Sequence, residues 1–101
     1  MTMTYWHTKL HVLQWAKEKG LLEEGNQHAQ MCKVTEEVGE LAGAILKKDE
    51  EGIRDAFGDV LVTLVILAKQ MGVDETECFA EAYEVIKDRK GKLIDGSFVK
   101  D

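Results

Sequence analysis

Two short stretches concentrate the carboxylates of this sequence: Glu36-Glu37-Val38-Gly39-Glu40 and Asp55-Ala56-Phe57-Gly58-Asp59. Residues three or four apart share a helix face, so Glu36 and Glu37 can each converge with Glu40, and Asp55 with Asp59. Each stretch then forms an acidic ledge. Carboxylates facing one another across two helices repel, and they are costly to desolvate unless a cation neutralises them. Oxygen donors with no His or Cys nearby select a hard ion, Mg²⁺ before Mn²⁺, rather than zinc. The ordinary setting of an E-E-x-x-E string is a solvated helix face. Here, however, the acids border apolar positions, Val38, Leu41 and Ala42 on one side and Phe57, Val60 and Leu61 on the other, where unpartnered carboxylates are rare. The expected metal ligands are Glu37, Glu40, Asp55 and Asp59.

Helices must position these ledges. The chain has no proline and is rich in Ala, Leu, Glu and Lys, and its apolar residues recur at three- and four-residue steps. This predicts an all-α fold of four helices. The first runs from about His7 to Lys19, with Trp6, Leu10 and Leu13 inward, and stops at Gly20. The second starts from an N-cap at Asn26 and reaches about Lys48, with Val34, Val38, Leu41, Ala42 and Ile45 inward. Asp49 to Gly52 leaves room only for a tight reversal, so the third, about Glu51 to Met71, folds back antiparallel. Its apolar face carries Ile53, Phe57, Val60, Leu61, Leu64, Val65 and Ala68. Counting from the reversal at about 1.5 Å per residue puts Glu40 level with Asp59, Glu37 one turn further out and Asp55 one turn nearer. Gly39, Gly43 and Gly58 each cost about 1 kcal/mol in a helix interior relative to Ala, which suggests close helix packing beside the acids.

After Gly72, Asp74 caps a fourth helix reaching about Lys90, with Phe79, Tyr83 and Ile86 as its buried stripe and Val73 as a staple against Cys78. The pair Asp95-Gly96 between apolar doublets signals a short β-hairpin-like tail. Two strands alone are marginal, so the tail should pack on the helices or on another subunit.

The length, 101 residues, predicts a single domain over residues 1–101, one small enough to leave apolar surface for a second copy. A formal charge of −6 argues against a general nucleic-acid polymer as partner. No stretch resembles a signal peptide or a membrane span, so a cytoplasmic, membrane-free protein is expected. Cys32 and Cys78 form no C-x-x-C pair and read as small core residues.

At Glu36-Glu37-Val38-Gly39-Glu40-Leu41 and Gly58-Asp59-Val60-Leu61 the sequence resembles the MazG-like nucleotide pyrophosphohydrolases of the all-α NTP pyrophosphatase superfamily, over roughly residues 26 to 92. The segment Tyr83 to Lys92 is similar to the end of their short phage and bacterial forms. The resemblance implies a four-helix MazG-like bundle built on an antiparallel helical hairpin. It also implies Mg²⁺-dependent hydrolysis of a nucleoside triphosphate to monophosphate and pyrophosphate. Catalytic residues map onto Glu36, Glu37, Glu40 and Asp59, with Glu36 as a further ligand or the water activator. The family pattern has Glu three residues before the Asp, where this chain has Ala56, leaving Asp55 as the neighbouring acid.

Cations for the triphosphate would come from Lys87, Arg89 and Lys90, Arg89 foremost. Trp6, Trp15, His7, His11 and Tyr83 are the aromatic candidates for a base slot, Trp15 and Tyr83 chief among them, and the first helix is expected to supply that slot. A homodimer or dimer of dimers is expected, with the second and third helices of two chains forming a four-helix core. The competing reading is a non-catalytic oligomeric module that binds nucleotide at a degenerate metal site, Ala56 marking the degeneracy.

Overall fold

The computed structural model describes residues 2–101. Four helices and a two-stranded sheet follow in order: α1 (Tyr5–Glu18), α2 (Gln27–Lys47), α3 (Glu50–Gln70), α4 (Glu75–Ile86), β1 (Gly91–Ile94) and β2 (Ser97–Lys100). Side chains cap the helix starts where amide N–H groups lack intrahelical partners. Asn26 Oδ1 accepts from the N–H groups of His28 and Ala29 at 2.8 and 3.1 Å, Asp49 from Gly52 at 3.1 Å, and Asp74 from Thr76 at 2.9 Å. Lys48 closes α2 in the left-handed conformation, φ 56°, a place where glycine is commoner. The chain therefore reverses within two residues, and α2 and α3 pack along their length as the antiparallel hairpin that the spacing predicts.

α1 lies on α3, and α4 packs on α3 and turns away from it at 102°, its first residue held to α1 by Lys9. The core is small: Ala16, Val34, Ala56, Val65 and Ile66, with the Gln30 amide buried among them and donating to Thr63 O at 3.2 Å. Gln70 Nε2 donates to Leu21 O at 2.9 Å, tying the α1–α2 connection to the end of α3. The strands pair antiparallel with Ile94 opposite Ser97, across a turn in which Asp95 and Gly96 have φ of 51° and 80°. Two successive positive φ values are what the Asp-Gly signal requires.

Several burial expectations fail in this chain. Trp6 and Leu10 of α1, Val38, Ala42 and Ile45 of α2, and Phe57, Leu61 and Leu64 of α3 are exposed. So is the α4 stripe, with Phe79 79% exposed and Tyr83 and Ile86 open as well. Cys32 and Cys78 are exposed rather than core. For the α4 stripe and Cys78 the cause is that α4 stands off the bundle and the tail packs on no helix. α4 also ends at Ile86, short of Lys90, because a turn in which Arg89 N–H donates to Ile86 O leads directly into the hairpin. No single helix is long and apolar enough to cross a membrane.

The accessible surface is 8297 Å². A compact chain of this mass exposes about 5,800 Å². The radius of gyration, 16.1 Å, likewise exceeds the roughly 13 Å of a compact domain of this length.

Candidate functional site

Glu37 lies on the face of α2 between Val34, which is buried, and Leu41, which is partly covered, so the seam with α3 half-buries it. Its Oε2 is shielded from solvent and has no hydrogen-bond partner. Partial burial first, then the Glu40 charge and hydrogen-bonding contact with Glu40, and finally the charges of Asp59 and Glu36, push the Glu37 carboxyl above the usual glutamate range. Three other acids, drawn from both helices, are thus felt at one side chain. Glu40 lines a groove between α2 and α3 with Gly43, Asp55 and Ala56. Asp59 is partly buried and borders a cavity between α1 and α3, which Asp55 also reaches. The structure therefore couples Glu37 to Asp59 and places Glu40 in one groove with Asp55. Counting from the loop set Glu40 against Asp59 instead; the tight Lys48 reversal accounts for the shift.

Glu36 is exposed and points to the outer side of the ledge, where Lys33 Nζ approaches its Oε2 at 3.4 Å. Among the described residues no three His, Cys, Asp or Glu side chains stand as a ready-made ion cage. Like charges relieve their repulsion by splaying, and protonation or a cation reverses that preference. The residues nonetheless suit a hard cation: all donors are carboxylate oxygens, and the orphaned Glu37 Oε2 is a buried acceptor awaiting a positive partner.

Ala56 is 4% exposed and faces α2 beside Glu40. The missing family carboxylate would thus sit in the seam itself, whereas Asp55 sits one residue round the helix at its rim. The three mid-helix glycines are not packing contacts, contrary to expectation. A Cβ built at Gly39, Gly43 or Gly58 meets nothing within 4 Å, so each leaves open space beside the acids.

Lys87, Arg89 and Lys90 follow the far end of α4, which packs on α3 and is held to α1 only near its start by Lys9, and among the described residues none of the three pairs with an acid of α2 or α3. Lys87 Nζ is held by Glu84 Oε2 at 2.7 Å. Tyr83 is exposed on α4. Trp15 and His11 line a shallow groove with Thr8, Val12 and Val62. Trp6 packs edge-on against His7 at 5.4 Å, outside these cavities. Sequence reasoning passed over two features. Arg54 stands at the cavity rim beside Asp55 and Asp59 and, among the described residues, pairs with no carboxylate. Lys9 reaches Asp74 at 2.9 Å and Glu75 at 2.6 Å, latching the start of α4 to α1. A lone Arg within an acidic motif was the available signal for the first; nothing local signalled the second.

Residues 26–94 match the model of the MazG nucleotide pyrophosphohydrolase domain. The chain belongs to this family. In the MazG chain the match runs from the N-cap of α2 to the end of β1 and leaves α1 outside it. A relative, the uncharacterized 18.2 kDa protein in the rep-hol intergenic region of Haemophilus phage HP1, is 39% identical over 64 residues, 63% of this chain. The MazG chain spans only 39% of that relative's length. No solved structure matches it.

Proposed function

We propose that this MazG chain is a Mg²⁺-dependent pyrophosphohydrolase that cleaves a nucleoside or deoxynucleoside triphosphate between its α and β phosphates. The observation that carries this reading is the buried, unpartnered Glu37 Oε2 on a seam where Glu40, Asp59 and Glu36 all act on one carboxyl. Glu37, Glu40 and Asp59 would hold the ion, Mn²⁺ being a possible substitute, with Asp55 reaching it through water. When bound, Mg²⁺ supplies charge neutralisation at the phosphate oxygens and a template for the triphosphate.

The side chains do the rest. Glu36, at the edge of the ledge, accepts a proton from the attacking water. The water oxygen bonds to the α-phosphorus, the bond from that phosphorus to the α–β bridging oxygen breaks, and pyrophosphate leaves carrying that oxygen. Arg54 at the rim offsets the charge that builds on the phosphates.

The partner is a second copy of the chain. About 2,500 Å² more surface is exposed than a compact chain of this mass shows, within the range an obligate interface covers. Phe79, Tyr83 and Ile86 are the surface to be covered, and such pairing is what could carry Lys87, Arg89 and Lys90 to a neighbour's acids. Ala56 favours a second reading, a regulatory module that binds nucleotide without turnover. Pyrophosphate release from the ribo- and deoxyribonucleoside triphosphates, with Mg²⁺ and with chelator, separates the two. Mg²⁺-dependent turnover supports the hydrolase, whereas Mg²⁺-dependent binding without product supports the module.

A further inference from the structure

Between α3 and α4 runs an open groove of about 480 Å³. Leu61, Leu64 and Leu67 line it from α3 and Cys78 and Phe79 from α4, and Glu75 is the one charged residue among those that line it. Leu61, Leu64 and Phe79 are all exposed. A second unpartnered apolar surface lies in the hairpin. Leu93 and Phe98 stand opposite each other in the ladder, so their side chains share one side of the sheet, and strand alternation puts Lys100 on that side too. Gly91 leaves room there for the Phe98 ring, which lies over it. Leu93 and Phe98 are 74% and 56% exposed, and no helix of the chain packs on either strand.

Each surface supplies what the other lacks. A two-stranded sheet is marginal alone and gains order only by packing on something. The groove is apolar, and the start of α4 beside it carries Asp74, Glu75 and Glu77, to which Lys100 brings the opposite charge. The chain does not close this contact on itself: about 12 Å of helix and then four more residues separate Cys78 from Gly91, at the far end of α4. Two chains related by a twofold axis would each give a hairpin and receive one. The surplus surface, about 2,500 Å², is of the size such an interface covers. β2 lies beyond residues 26–94, so the hairpin is completed outside the stretch that matches the family model. We propose that the α3–α4 groove of one chain receives the Leu93 and Phe98 face of a second copy's hairpin. This rests on the second-copy reading above and names the segments that meet; it does not depend on the nucleotide chemistry.

Cross-linking of the full chain tests it, because Cys78 lies in the groove. In a Cys32→Ser background, Leu93→Cys should join to the partner's Cys78 under mild oxidation, giving a species of twice 11.4 kDa on a non-reducing gel. Ile94→Cys, on the opposite side of the sheet, should link far less, and adding Cys78→Ser should abolish the link. A second readout leaves the groove and both native thiols untouched: Phe98→Asp should speed alkylation of Cys78 about tenfold or more and leave that of Cys32 unchanged. A link within one chain, equal linking from position 94, a link that survives Cys78→Ser, or Cys78 alkylation indifferent to Phe98→Asp overturns the proposal. A dimer with neither the link nor the change in alkylation overturns the hairpin contact and keeps the second copy. A wild-type monomer at micromolar concentration overturns both, and none of these outcomes bears on hydrolysis.

Discussion

At the residue scale, Glu37 is held in a state that only protonation or a cation relieves. Its carboxyl titrates above its unfolded value, with partial burial as the largest cause and Glu40 next. The folded protein therefore holds that proton more tightly than the unfolded chain does. The associated stability is present in full below about pH 4.5, the ordinary glutamate value, and is lost as pH rises through the raised one. Without metal, Glu37→Gln should raise the melting temperature at neutral pH and flatten its pH dependence over that window; with Mg²⁺ the order should invert, as scanning calorimetry would show. Ala56→Glu should restore the family carboxylate, destabilising the metal-free protein and tightening Mg²⁺ binding; no change in Mg²⁺ affinity would place the ion elsewhere. Both ledges were legible because helical spacing alone sets which acids share a face. Arg54 was not, since a single cation beside acids reads as charge balance until a cavity is seen next to it.

At the element scale, the hairpin followed from the apolar spacing of α2 and α3 and from a linker too short for anything else, and the Asn26 and Asp74 caps from residue type alone. The fate of α4 did not. Its Phe79, Tyr83 and Ile86 stripe is amphipathic, but periodicity states only that a face wants covering, not by which chain. Within this chain the Lys9 latch holds the start of α4, where the hydrogen bond from Lys9, then the Thr76 backbone N–H, holds the Asp74 carboxyl below its usual range. A lowered carboxyl stabilises above its unfolded value and loses that contribution as pH falls through the folded one. Lys9→Met should therefore free α4. We expect amide exchange across residues 75–86 to speed about tenfold or more, with little change in the α2–α3 hairpin. Uniform acceleration throughout would mean that the pair supports the whole fold rather than one arm.

At the scale of the whole molecule, a single chain leaves too much apolar surface open, and Lys87, Arg89 and Lys90 pair with none of the acids of α2 and α3 among the described residues. Phe79→Asp should lower the sedimenting mass from that of a dimer or larger assembly to that of the 11.4 kDa chain. A wild-type protein that already sediments as a monomer at micromolar concentration would remove the second copy from the account. The central claim, that carboxylates of α2 and α3 hold Mg²⁺ for cleavage of a nucleotide's α–β bond, is tested most directly by following both products with phosphorus NMR. With Mg²⁺ and the preferred triphosphate, monophosphate and pyrophosphate should accumulate in equal amounts, and Glu40→Gln and Asp59→Asn should each slow this by about a hundredfold or more while helix content holds. Release of inorganic phosphate instead of pyrophosphate, or undiminished cleavage in both variants, would contradict it.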